Sequence, residues 1–177
     1  MMNSVLALNL TFLDQAITLI RERLGDHYAL PCEEIFSSSI GQHFRHCVEH
    51  YEEFFRAVEE GGTIDYERRP REVILEIDPE QAIRRLEWIR GKLVSFPKNC
   101  RTLRVRDTGI DGSCVSSVSR ELQFLVSHTV HHFALISAIA TLSGIPVPEN
   151  FGVAPSTLPP RRRAGVTGSG KLLVSGH

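Results

Sequence analysis

Several signals that would classify this chain at once are missing. It has four cysteines, Cys32, Cys47, Cys100 and Cys114, but no C-x-x-C pair, which argues against a zinc knuckle or a thioredoxin motif. It has no basic excess. Twenty Lys and Arg stand against 21 Asp and Glu, whereas a general nucleic-acid binder carries a positive surplus or stripe. The one dense basic run, Arg161-Arg162-Arg163, lies in the C-terminal segment. The opening MMNSVLALNLTFLDQAI lacks a positive start, and Asp14 interrupts its apolar run, so it does not read as a signal peptide. No unbroken apolar run approaches the ~20 residues that span a bilayer. There is no internal repeat. These absences predict a cytoplasmic protein with free thiols and neither a nucleic-acid nor a membrane partner.

What is present suits one globular domain. Apolar residues make up 42% of the 177, enough to fill a core without disulfides. Leu6, Leu10, Leu13, Ile17, Ile20 and Leu24 step by four and three and predict a first helix over roughly 4–24, stopped by Gly25. Ser37-Ser38-Ser39 offers caps for a second helix running to Glu60, with Gly61-Gly62 ending it. Its apolar face carries Phe44, Cys47, Val48, Tyr51, Phe54 and Phe55, with Arg45, Glu49, Glu52 and Arg56 opposite. Asp78-Pro79-Glu80-Gln81 has the form of a capping box and opens a third helix that Pro97 ends. Thr102–Asp107 alternates apolar and polar residues, and a turn at Gly109–Gly112 leads to Cys114-Val115, which together predict a short hairpin. A fourth and longest helix starts at Ser116 or Ser117 and ends at Gly144. The expected fold is all-α: a four-helix bundle with crossover connections over residues 1–145, and a short β-hairpin before the last helix. Residues 146–177 form a Pro- and Gly-rich tail, weakly ordered from about Arg161.

Six of the eight histidines fall in two clusters, His43, His46 and His50 on the second helix and His128, His131 and His132 on the fourth. Residues four apart on a helix stand one turn above another, with Cβ atoms about 5–6 Å apart. His128 and His132 can therefore bind one metal ion from one side and leave room for a ligand from a facing helix. The pair is not H-E-x-x-H, because Thr129 occupies the glutamate position, so the general base of zincin peptidases is lost. His131 points about 140° from the centre of the apolar face and is the poorer ligand. The alternative to a metal is a polar core network, since buried neutral imidazoles need partners.

The segment Ser39-Ile40-Gly41-Gln42-His43-Phe44-Arg45-His46 resembles the second-helix segment of the DinB-like superfamily of metal-binding four-helix bundles, which ends in a histidine ligand. It is also similar to the H-x-x-H stretch in the N-terminal domain of ergothioneine-forming sulfoxide synthases. His128-x-x-x-His132 is similar to the family's later histidine pair. Including the helix pattern, the resemblance covers roughly residues 1–145. It implies His46, His128 and His132 as ligands to nickel or zinc. Periodicity places His46 further from the apolar face than His43 or His50, so these two stand as substitutes.

The resemblance further implies a metal-dependent thiol S-transferase or hydrolase acting on a small electrophile, since relatives use bacillithiol or mycothiol. No catalytic residue is assigned. A homodimer fits such families, and a non-catalytic, stress-associated metal protein is the alternative. In the loop Asp65–Arg71, Arg68 and Arg71 are the candidates for gripping a substrate carboxylate or phosphate. The competing reading is a solvated loop with local ion pairs. Tyr66 and Trp88 read as packing residues. Phe151–Pro155 either folds over the mouth of the bundle or packs as an ordinary tail.

Overall fold

The computed structural model describes residues 2–97, 102–106, 112–154 and 157. Within them the fold is mainly helical, with two small sheets. The elements are α1 (Met2–Leu19), β1 (Pro31–Cys32), β2 (Ser38–Ser39), α2 (Ile40–Glu60), β3 (Thr63–Ile64), α3 (Ile74–Ile77), α4 (Pro79–Val94), β4 (Thr102–Arg106), β5 (Ser113–Ser117) and α5 (Val118–Leu142). The helical expectation holds at the level of a mainly α fold, whereas a four-helix bundle is not clearly formed and β1, β2 and β3 add strands beyond the expected hairpin. The hairpin forms as β4 antiparallel to β5, with Leu103 opposite Ser116. β3 adds to it in parallel, placing Ile64 beside Val105. The weak order expected from Arg161, and most of the hairpin turn, lie outside the described residues.

The helix boundaries follow local chemistry. Ser39 accepts from the backbone N–H of Gln42, whose side chain accepts from the N–H of Ser39. This reciprocal box opens α2, and Gly61, left-handed at φ 73°, closes it. The box expected at Asp78 is instead a one-sided cap, in which Asp78 accepts from the N–H groups of Glu80 and Gln81. Ser117 caps α5. Gly25, at φ 46°, caps the helical run that ends at Leu24, as its place in the sequence predicts. The chain widens into a π turn over Ile20–Leu24 and a 3-10 turn over Gly25–Tyr28. Burial of Leu24 and Tyr28 rewards that continuation.

The predicted apolar stripes become the core. In α1 and the π turn that follows it, Leu6, Leu13, Ile17, Ile20 and Leu24 are buried, and Leu10 is partly so. α1 packs against α4 and α5, and α2 packs against the same two. Phe44, Val48, Tyr51 and Phe54 of α2 are almost fully buried, each contributing about 1.5–3 kcal/mol by area. The segment Met2–Tyr28 and the helix Val118–Leu142 are each long and apolar enough to cross a bilayer by length and composition. Here they pack on each other. The short helix α3 is an element the sequence pattern does not predict. It lies so close to α2 that a Cβ on Gly41 would stand 2.0 Å from the Glu76 carbonyl oxygen. Tyr28 supports it from below by donating to the Leu75 carbonyl at 2.6 Å.

Candidate metal centre

The direct packing of α2 on α5 brings the two histidine clusters together. The His46 ring centroid lies 4.9 Å from that of His128 and 4.5 Å from that of His132. One ligand nitrogen from each of His46, His128 and His132 falls within 4.8 Å of the others. Nitrogens about 2.0–2.1 Å from a common tetrahedral ion stand roughly 3.3 Å apart. Small side-chain rotations would close that gap, so the three could hold one metal ion. The α2 histidine in this trio is His46, the one the resemblance implies, despite its place on the helical wheel. α2 is flanked by α5 on one side and by the loop after β3 on the other, which widens its buried arc.

The hydrogen bonds around the histidines specify their tautomers. Ser38 Oγ donates to the Ile35 carbonyl at 2.8 Å, so toward His43 Nε2, 3.0 Å away, it can only accept. His43 therefore carries its proton on Nε2, and its Nδ1 accepts from His132 Nδ1 at 3.1 Å. His132 is left with a bare lone pair on Nε2. A relay of this kind is what orients metal-binding imidazoles. His50 donates from Nδ1 to the His46 carbonyl at 2.7 Å, which likewise leaves its Nε2 bare. Its ring stacks 3.8 Å from that of His128, so it borders the trio. His128 Nδ1 is buried and has no hydrogen-bond partner.

The electrostatics favour neutral imidazoles, the form that binds metal. Burial, reinforced by neighbouring His50, Arg69 and His132, pushes His46 down to about 2. His128 falls to about 2 and His132 to about 3, again chiefly by burial. His50 falls to about 4, its burial offset in part by the bond to the His46 carbonyl. His43 is lowered too, first by burial and then by His131.

One side of the site is aromatic. Tyr66 stacks on His50 at 5.1 Å, and Phe124 lies 4.8 Å from Tyr66 and 5.7 Å from His128. Tyr66 is anchored by donating to the fully buried Glu121 at 2.9 Å. Burial and that carboxylate raise the pKa of the Tyr66 hydroxyl. Tyr66 therefore packs, as expected, but it packs on the site.

The loop over the site is pinned at both ends by α2. Glu53 accepts from the N–H of Asp65 at 2.7 Å, and Glu49, one turn earlier, accepts from the N–H of Glu72 at 2.9 Å. Sequence periodicity puts Glu49 on the solvent face, yet it is buried because the loop covers it. Arg68 and Arg71, the expected substrate grips, are both exposed. Arg69, between them, reaches inward, and its Nη1 meets Nδ1 of His46. A neutral imidazole has one lone pair, so His46 either accepts from Arg69 or binds an ion. Loading the site therefore requires Arg69 to withdraw. Glu49 Oε2, buried and without a hydrogen bond, lies 3.8 Å from the same Nη1.

The remaining candidates fall outside. His131 is exposed. Cys47 is buried, with its thiol pKa pushed up by burial. Trp88 packs against Phe55 and under Lys92. Phe151 stacks on Phe133 at 4.4 Å, and Gly152 N–H donates to Gln15 at 3.3 Å, so this segment packs as a tail against α1 and α5. Sequence reasoning missed Arg69, Glu49 and the Ser38–His43 relay. The i, i+4 spacing of Glu49 and Glu53 was the one available hint of a second ordered partner for α2.

No family model matches the chain, and no solved structure matches it. A stretch of 103 residues is 35% identical to FK506-binding protein 5 of Rhizopus delemar, covering 54% of this chain and 27% of that protein. The chain thus spans about a quarter of that curated relative's length, and the relative's name describes the relative.

Proposed function

We propose that this protein is a divalent-metal protein of the DinB-like four-helix-bundle kind, with His46, His128 and His132 holding nickel or zinc. We further propose that it serves a thiol S-transferase or hydrolase reaction on a small electrophile. The observation that carries the reading is the state of the three imidazoles. They converge within 4.8 Å, a relay leaves His132 Nε2 bare, and His128 Nδ1 is buried without a partner. A closed polar network would use those two atoms, and here only the His46 nitrogen is engaged, by Arg69.

An ion held by three neutral imidazoles keeps its full charge and would supply Lewis acidity, lowering the pKa of a thiol or water or polarising a carbonyl. The chain's own residues do the rest. Ser38 and His43 hold His132 in the ligating tautomer. Tyr66 and Phe124 wall one side against water, which strengthens electrostatic interactions within the site. His50, with its Nδ1 tied to the His46 carbonyl, offers a fourth nitrogen at the edge. A low-molecular-weight thiol is the proposed nucleophile.

The test is elemental analysis of the purified protein alongside His46→Ala, His50→Ala and His128→Ala. Near-stoichiometric nickel or zinc in wild type, lost in His46→Ala and His128→Ala and kept in His50→Ala, is expected. Full retention in His128→Ala would sink the site. Loss in His50→Ala but not in His46→Ala would move the third ligand.

A further inference from the structure

We infer that Arg69 is the anion-recognition residue of this site, and that the ligand it selects is a small molecule carrying a carboxylate beside its metal-binding atom. The inference rests on the metal reading above. The Arg69 side chain is 12% exposed. Its Nη1 contacts His46 Nδ1, and its Nε is buried with no partner. Once His46 gives its lone pair to an ion, Nη1 loses its acceptor as well. A guanidinium has five N–H donors in a rigid fork, and leaving them unpaired inside the protein is costly.

Two acceptors could take them. Glu49 Oε2 is one, at 3.8 Å and without a hydrogen bond of its own. It is a single oxygen, because Glu49 Oε1 already accepts from the N–H of Glu72. The fork therefore keeps donors to spare beside the histidines. A ligand carboxylate matches planar, paired donors. The other arginine on this side, Arg45, is tied through Nη1 to Glu76 and keeps one buried, unpaired Nε, so Arg69 is the guanidinium whose fork is left for the ligand. With the buried Glu49 carboxylate beside it, that guanidinium suits a monoanion better than a phosphate dianion. Arg68 and Arg71, on the exposed side of the loop, are not placed to do this.

The test compares two thiols that differ in the carboxylate, mercaptoacetate and 2-mercaptoethanol, titrated into cobalt(II)-loaded protein by visible absorption. Cobalt content is measured after dialysis. Mercaptoacetate chelates cobalt by itself, so the readout is the ratio of the two affinities in wild type against Arg69→Gln and Arg69→Lys. That ratio is expected to fall about 10-fold or more in Arg69→Gln, the loss of one charge-assisted hydrogen bond. A smaller fall is expected in Arg69→Lys, which keeps the charge and loses the fork. A ratio unchanged in both variants, with cobalt retained, overturns the role of Arg69 and leaves the metal reading standing. Inorganic phosphate competing with mercaptoacetate more strongly than acetate does would overturn the choice of carboxylate. Cobalt lost from wild type on dialysis overturns both readings.

Discussion

Two buried polar clusters sit side by side between α2 and α5, and they are built on opposite plans. The first is Asn9, Tyr51 and Thr129. Asn9 donates to the carbonyls of Val5 at 2.7 Å and Leu122 at 3.1 Å and accepts from Tyr51 at 2.7 Å, while Tyr51 and Thr129 hydroxyls lie 3.4 Å apart. The second begins one residue earlier on each helix, with His50 and His128, and includes His46, His132, Arg69 and Glu49. There, His128 Nδ1, Glu49 Oε2 and Arg69 Nε are buried and lack hydrogen bonds. A satisfied network fastens helices together. Unsatisfied buried groups cost stability and persist where something else is meant to bind. The same helix pair thus carries a clasp and a site one residue apart.

Metal loading should separate the two most sharply. Adding nickel or zinc to stripped wild-type protein should raise the melting temperature, by about 2.7 kcal/mol of stability at a hundredfold excess over Kd. His128→Ala should abolish that rise, and calorimetry of both proteins with and without metal would check it. Tyr51→Phe should do the reverse. It leaves Asn9 Oδ1 without its donor and should cost about 1–3 kcal/mol in chemical denaturation, while metal content stays unchanged. If Tyr51→Phe strips the metal, the two clusters are one network and the comparison fails.

A finer test lies in the relay. His43→Phe removes the acceptor of the His132 Nδ1 proton and should weaken metal affinity about 10- to 100-fold without eliminating it. Competition with a chelator would measure this. Equal affinity in the variant would make the His43–His132 bond incidental.

The mildest effect near neutrality is on pH. The site histidines titrate below their usual 6.5 in the folded protein, His50 at about 4 and His132 at about 3. The unfolded chain therefore takes up protons first as pH falls. Metal-stripped protein should hold its full stability above pH 6.5 and lose it progressively as pH falls from 6.5 to about 3. Thermal melts across that range would test the sign. His128→Ala, with one such histidine fewer, should fall less steeply, whereas Tyr51→Phe should keep the wild-type slope.

The helices could be read from periodicity and caps, because their stripes and terminal residues act within a few positions of one another. α3 could not. It is one turn long, and it forms because Leu75 is buried and its carbonyl meets Tyr28, far away in sequence. Gly41 likewise looks ordinary in the chain and is required only where α3 crosses it.

In the site the division is the same. The pairing of His128 with His132 follows from helical spacing alone, since i, i+4 is a local relation, and the exclusion of His131 follows from the same wheel. His46 came from resemblance, and periodicity pulled against it. Only the tertiary structure showed why it can serve, as a residue on a helix with neighbours on two sides. Which nitrogen of each imidazole is free, which of three loop arginines turns inward, and whether Glu49 meets water or protein are all set by contacts between distant segments. No single helix encodes those contacts, because each depends on where another element's backbone comes to rest.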